Sequence, residues 1–104
     1  MEQKLNLKKQ DLKEGAVSEA ESASKKFAVV MQEGKVYVLS GECTHEGGPL
    51  GQGSMDKGEL ICPWHSGAFN VTTGKASENT PWATDATTYQ ARVDEASGEI
   101  FIDL

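Results

Sequence analysis

The sequence predicts an all-β chain: a small antiparallel β-sandwich or partly open barrel, with residues of about 42 to 70 inserted as a two-loop subdomain between strands of the base. Three observations predict it. Short apolar or alternating runs recur along the chain, separated by turn residues, as half-buried strands require. Helical patterning is nearly absent: only Leu12 to Glu21 could offer a helical turn, and Gly15 weakens it. Finally, Gly47, Gly48, Pro49, Pro63 and Gly67 gather in the middle, where backbone must turn rather than extend.

Taken in order, Lys4-Leu5-Asn6-Leu7-Lys8 alternates polar and apolar and reads as a strand. Ser18 to Lys26 is polar and small enough to be a mobile surface loop. Lys26 to Gln32 is an apolar run, Glu33-Gly34 a turn, and Lys35 to Leu39 alternates again around Tyr37, which together make a hairpin. Glu59-Leu60-Ile61 is a short strand leading into the second half of the insertion. Phe69-Asn70-Val71 leaves it, and Thr73-Gly74 turns the chain. Thr88 to Val93 and Glu99 to Leu104 are β-rich runs, and Asp94 to Gly98 between them is a loop of hairpin length.

Length and charge set further bounds. A chain of 104 residues with 38% hydrophobic content has room for one domain, residues 1–104, with one modest core. Its longest apolar runs, such as Phe27 to Met31, fall far short of a membrane span, and the Lys-containing N-terminus lacks the apolar stretch of a signal peptide. A soluble, cytoplasmic monomer is expected, so the sequon Asn70-Val71-Thr72 is a chance match. A formal net charge of -6 argues against nucleic acid or an anionic membrane as partner. The acidic surface serves solubility, or lets Glu46 and its neighbours meet basic patches in quick, salt-sensitive encounters.

The chemistry lies in two blocks. His45 and His65 are the only histidines and Cys43 and Cys62 the only cysteines, and they fall as Cys43-Thr44-His45 and Cys62-Pro63-Trp64-His65. Each block has one thiolate and one imidazole close enough to converge from a single loop. Together they supply the mixed set that holds a [2Fe–2S] centre, with Cys on one iron and His on the other. Three other uses of the same residues stand beside this one. The cysteines could form a disulfide, although no secretory context supports it. The set could bind structural zinc in an interaction module, although zinc fingers usually group Cys with Cys and His with His. One Cys-His pair could act as a nucleophile, which leaves the second pair unexplained.

The blocks resemble those of Rieske proteins. Cys43-Thr44-His45-Glu46-Gly47-Gly48-Pro49-Leu50 is similar to the family's C-x-H-x-G-x-x-L box, and Cys62-Pro63-Trp64-His65-Ser66-Gly67-Ala68-Phe69-Asn70 to its C-P-x-H-x-x-x-F/Y box. The likeness extends to Asp11 to Gly15, to Gly34 to Leu39 and to Tyr89 to Leu104, and is weakest over Ser18 to Lys26. It implies one [2Fe–2S] cluster per chain, bound by Cys43, His45, Cys62 and His65. Leu50 and Pro49 would shield the irons from water, and Pro81-Trp82 would lie in the family's proline-containing loop over the cluster. Trp64 would pack there or form part of a docking surface.

Within the family the chain resembles the soluble ferredoxins that serve oxygenases. Gly48 and Trp64 stand where respiratory forms carry an extra cysteine pair, and Gly67 and Phe69 where those forms place serine and tyrosine hydroxyls against the cluster sulfurs. Fewer hydrogen bonds to the sulfurs imply a lower potential. The resemblance therefore implies an electron-transfer protein rather than an enzyme. It would pass one electron at a time from a ferredoxin reductase to a terminal oxygenase, in transient contacts. The alternative within the family is a small Rieske subunit of a reductase complex such as nitrite reductase.

Overall fold

The computed structural model describes residues 2–22, 25–41, 50–63, 67–76 and 86–103. Among them, ten strands form three antiparallel sheets: β1 (Glu2–Lys8), β2 (Val17–Ser22), β3 (Lys25–Gln32), β4 (Lys35–Ser40), β5 (Ser54–Asp56), β6 (Glu59–Ile61), β7 (Ala68–Asn70), β8 (Thr88–Tyr89), β9 (Ala91–Val93) and β10 (Glu99–Asp103). Their orders are β1-β10-β9, β2-β3-β4-β8 and β5-β6-β7. The first two sheets are the base and the third is the insertion, so the all-β expectation holds.

The base is a partly open barrel whose two sheets are joined at two seams. At one, β8 and β9 are consecutive pieces of one run that change sheets at Gln90, whose carbonyl accepts the Asp103 amide at 3.1 Å. The sequence reads Thr88 to Val93 as one strand, but pairing with β4 on one side and β10 on the other splits it. At the second seam the Asn6 side-chain oxygen accepts the Glu21 amide at 2.9 Å, tying β1 to β2.

The middle of β3, Phe27 to Val30, is buried on both faces of its sheet, which explains its unbroken apolar run. Phe27 and Val29 face a core with Leu5, Leu12, Ala20, Val38, Ile100 and Ile102. Ala28 and Val30 face the opposite way, toward Leu39, Leu50, Leu60, Cys62, Phe69, Val71 and Ala86. A strand covered on one side alone would alternate; between Phe27 and Val30 this one has no wet face, and exposure is confined to its ends, as at Lys25 and Lys26. The β3–β4 turn is also as expected, with Glu33 and Gly34 both at positive φ (54° and 76°) as a two-residue hairpin needs. The Glu14 carboxylate accepts both turn amides, at 2.6 and 3.0 Å.

One expectation fails. The segment Ser18 to Lys26 is not a surface loop: Val17–Ser22 is β2, paired residue for residue with β3 from Val17↔Val30 to Ser22↔Lys25, and only Ala23 and Ser24 between them lie outside the described residues. Ala20 is the one fully buried side chain of β2, so the strand rests on backbone pairing that composition does not report. Leu12 to Glu21 forms no helix, in keeping with Gly15, which stands at φ 75°. The helical turn comes earlier, as a 3₁₀ turn at Lys9–Asp11 where the Asp11 carboxylate accepts the Lys8 amide at 3.0 Å.

The third sheet was half anticipated. β6 stands where the sequence puts it and β7 (Ala68–Asn70) begins and ends one residue before Phe69-Asn70-Val71, while β5 escapes notice because Ser54-Met55-Asp56 is short and mostly exposed. It turns into β6 through Lys57 and Gly58, again both at positive φ. Past β7, the Asn70 side-chain oxygen accepts the Thr72 and Thr73 amides at 2.9 and 3.1 Å, and Gly74 follows at φ 79°. The sequon asparagine is a turn-former here.

Candidate metal centre

Of the four proposed ligands, Cys62 lies among the described residues; Cys43, His45 and His65 lie outside them, as do Glu46, Pro49, Trp64, Pro81 and Trp82. The described residues supply the frame that the ligand blocks leave and rejoin. The first block departs at Gly41 and returns at Leu50, and these ends are joined by the Leu50 amide donating to the Gly41 carbonyl at 2.9 Å. Gly41 is itself fixed to β3, its amide donating to the Lys26 carbonyl at 3.0 Å. The second block departs after Cys62 and returns at Gly67, closed by the Cys62 amide donating to the Gly67 carbonyl at 2.7 Å.

The two closures adjoin. Leu50 opens a 3₁₀ turn, Leu50–Gln52, whose carbonyl accepts the Gly53 amide at 3.1 Å, and the next residue, Ser54, pairs with Ile61 immediately before Cys62. Leu50, Leu60, Cys62 and Phe69 share one core, each no more than 1% exposed. A third closure lies alongside: the Ala86 amide donates to the Gly74 carbonyl at 2.7 Å and brackets the segment that contains Pro81-Trp82.

This frame fits an iron–sulfur centre. A thiolate in the position of Cys62 is out of water and among apolar side chains, which is costly for a bare anion and suited to a metal ligand protected from oxidants. Leu50, which the resemblance expects to shield the irons, is fully buried in the same core as Cys62. Gly67 meets the second block with a carbonyl and Phe69 with a fully buried ring, and neither has a hydroxyl to offer a sulfur. Sequence reasoning missed the glycines that bring the closures together. Their signal was Gly51-Gln52-Gly53 so soon after the first block, a density of glycine that indicates close backbone approach.

Known proteins agree with this frame. Residues 3–90 match the Rieske [2Fe-2S] domain family. The ferredoxin component of the naphthalene 1,2-dioxygenase/salicylate 5-hydroxylase systems of Ralstonia sp. is 34% identical over 84 residues, which are 81% of this chain and 80% of that one. Apoptosis-inducing factor 3 of Mus musculus is 32% identical over 85 residues, 82% of this chain, but the match spans only 14% of that protein. Among solved structures, the ferredoxin of carbazole 1,9a-dioxygenase from Nocardioides aromaticivorans IC177 superposes with a TM-score of 0.81 at 28% identity, covering 92% of this chain and 91% of that chain. A chain in the complex of reduced oxygenase and oxidized ferredoxin in carbazole 1,9a-dioxygenase gives 0.78 at 27%, covering 91% and 86%. The nitrite reductase small subunit from Mycobacterium tuberculosis shares the fold, with 0.77 at 18% over 94% and 90%. Two adjoining loop closures around a buried cysteine, on a frame shared with these ferredoxins, make one assignment: the chain belongs to the Rieske [2Fe-2S] domain family.

Proposed function

We propose that residues 1–104 form one Rieske domain acting as a cytoplasmic one-electron carrier between a ferredoxin reductase and a terminal oxygenase. One [2Fe–2S] cluster per chain would be held by Cys43 and Cys62 on one iron and His45 and His65 on the other, and when bound it supplies reversible one-electron exchange. The observation that carries this reading is the pair of hydrogen-bonded loop closures, 41–50 and 62–67, meeting over the buried Cys62. The blocks they bracket contain every Cys and His of the chain. The likeness to ferredoxin components over four-fifths of their length supports the carrier role.

The chain's own residues have separable tasks. Cys62 presents sulfur from a dry position, and Leu50 and Phe69 keep water from that side of the site. The backbone closures fix the ends from which the two blocks depart, Gly41 to Leu50 and Cys62 to Gly67. A net charge of -6 suits brief encounters with basic partner surfaces. The test is reconstitution with the reductase and oxygenase of a naphthalene-dioxygenase-type system, reading product formation against this chain's concentration. Saturable dependence is expected. No dependence, in protein that carries two irons and two sulfides, would favour the bound-subunit alternative of the nitrite reductase kind, and one zinc without iron would end the Rieske reading for this chain.

A further inference from the structure

We propose that Gly53 is a positioning residue that sets the spacing between the two ligand blocks, and through it the electronic state of the bound centre. The inference rests on the ligand assignment above. Gly53 lies between the two closures: its amide donates to the Leu50 carbonyl at 3.1 Å, at the end of the first block, and its neighbour Ser54 pairs with Ile61, at the start of the second. The approach is closer than a side chain allows. A methyl group on Gly53 would overlap the Ile61 carbonyl oxygen and lie 3.2 Å from the Leu50 carbonyl oxygen. Both obstacles are backbone, so no rotamer change can relieve the overlap.

The carbonyl that a methyl would displace belongs to the residue bonded to Cys62. Cys62 is held on its far side by the hydrogen bond to Gly67, and Leu50 on its far side by the hydrogen bond to Gly41. Gly41, Leu50, Gly53, Ile61, Cys62 and Gly67 thus form one continuous backbone path from block to block. The neighbouring glycine differs in kind. A methyl on Gly51 would meet the Glu19 Cγ at 3.0 Å, its Cβ at 3.1 Å and its backbone Cα at 3.2 Å, a crowding of a few tenths of an ångström rather than an overlap. A methyl on Gly51 therefore passes a smaller push than one on Gly53 into the same segment that links the blocks.

Three variants test this, each purified as holoprotein beside the wild type: Gly53→Ala, Gly51→Ala, and Leu5→Ala as a control from the opposite core. The readouts are the g-values of the reduced centre, the midpoint potential, and the rate of iron release to a chelator. Gly53→Ala should move the g-values and potential and release iron on the order of tenfold faster, the scale for lost support around metal ligands. Gly51→Ala should change the same readouts in the same direction by less. Leu5→Ala should lower the melting temperature and leave g-values and potential alone. Should Gly53→Ala yield no holoprotein, Gly51→Ala decides: unaltered g-values and potential in it overturn the proposal. So does a Gly53→Ala holoprotein that matches wild type or differs only as Leu5→Ala does. A wild type without a Rieske spectrum would instead refute the ligand assignment, which keeps the two failures apart.

Discussion

The two faces of the β2-β3-β4-β8 sheet bury cores of different origin. The barrel core draws Leu5, Phe27, Val29, Val38, Ile100 and Ile102 from long strands, each held by several backbone pairs. The opposite core sets Ala28, Val30 and Leu39 of the shared sheet against Leu50, Leu60, Cys62, Phe69 and Val71, which come from three-residue strands, a 3₁₀ turn and loop ends. Each fully buried Leu, Ile or Phe contributes roughly 1.5–3 kcal/mol. The second group nevertheless depends on loops whose ordering opposes that gain, at about 1–2 kcal/mol per fixed residue. One core is therefore self-sufficient, and the other is completed by whatever ties its loops together. In a Rieske domain that tie is the cluster.

Removing the tie should have the largest effect. Cys62→Ala is expected to purify with background iron and sulfide while keeping the β circular dichroism of the barrel. Amide exchange should separate the two cores, with protection kept in β3 and β10 and lost in β6 and β7. Uniform loss of protection across all four strands would show that the two cores fold as one unit.

Matched deletions sharpen the same contrast. Leu60 and Ile102 are both fully buried, one in each core, and Leu→Ala or Ile→Ala at such sites costs about 2–5 kcal/mol. In holoprotein both variants should lie in that range. Once a chelator has removed iron, Ile102→Ala should cost as much as before and Leu60→Ala close to nothing, because its surroundings have already loosened. Urea titration of holo and apo forms is the measurement, and an undiminished cost for Leu60→Ala in the apo form would contradict it.

What was legible in the sequence divides along the same boundary. Leu5 and Leu7 alternating in β1, the Phe27 run and the Glu33-Gly34 turn announce the barrel, because long paired strands impress their period on side chains. β2 was unreadable for the opposite reason: Ser18, Glu19, Glu21 and Ser22 are strand residues by virtue of β3 beside them, a long-range fact. The blocks Cys43-Thr44-His45 and Cys62-Pro63-Trp64-His65 were legible because metal chemistry restricts residue type. The closures that frame them were not, since any amide and any carbonyl can make such hydrogen bonds.

A smaller effect is expected at Phe69. It stands where respiratory relatives are expected to place a tyrosine hydroxyl, and its ring is fully buried beside Leu60 and Cys62. The native potential should fall toward the low end of the Rieske range of roughly -150 to +300 mV, and Phe69→Tyr should raise it. The added oxygen must fit a filled core, so a stability loss of about 1–3 kcal/mol should accompany the rise. Redox titration of the two proteins decides, and a native midpoint near +200 mV or above would show that other donors already serve the sulfurs.

The smallest effect belongs to the barrel's outer surface and should leave the cluster side untouched. Arg92 donates from Nε and Nη2 to the two Glu2 carboxylate oxygens at 3.2 and 2.9 Å and stacks 4.6 Å over the Phe101 ring, while Lys4 lies 3.0 Å from Glu99, so β1, β9 and β10 are cross-tied by charge. The hydrogen bond from Arg92 holds the Glu2 carboxyl below its ordinary value of 4.5, and the one from Lys4 does the same for Glu99. A carboxyl whose folded value is depressed adds stability above the ordinary value and loses it as pH falls through the folded one, so the decline begins near pH 4.5 and continues below it. Arg92, raised by the same Glu2 contact, stays charged throughout this range and adds no slope of its own. Both pairs are exposed and screened by salt, so their contribution is minor. Melting temperatures from about pH 7 to about pH 3 should therefore fall slightly less steeply in Glu2→Gln and Glu99→Gln than in wild type, and high salt should erase the difference. Parallel curves for all three proteins at low salt would mean that the pairs add nothing to the barrel's hold on β1.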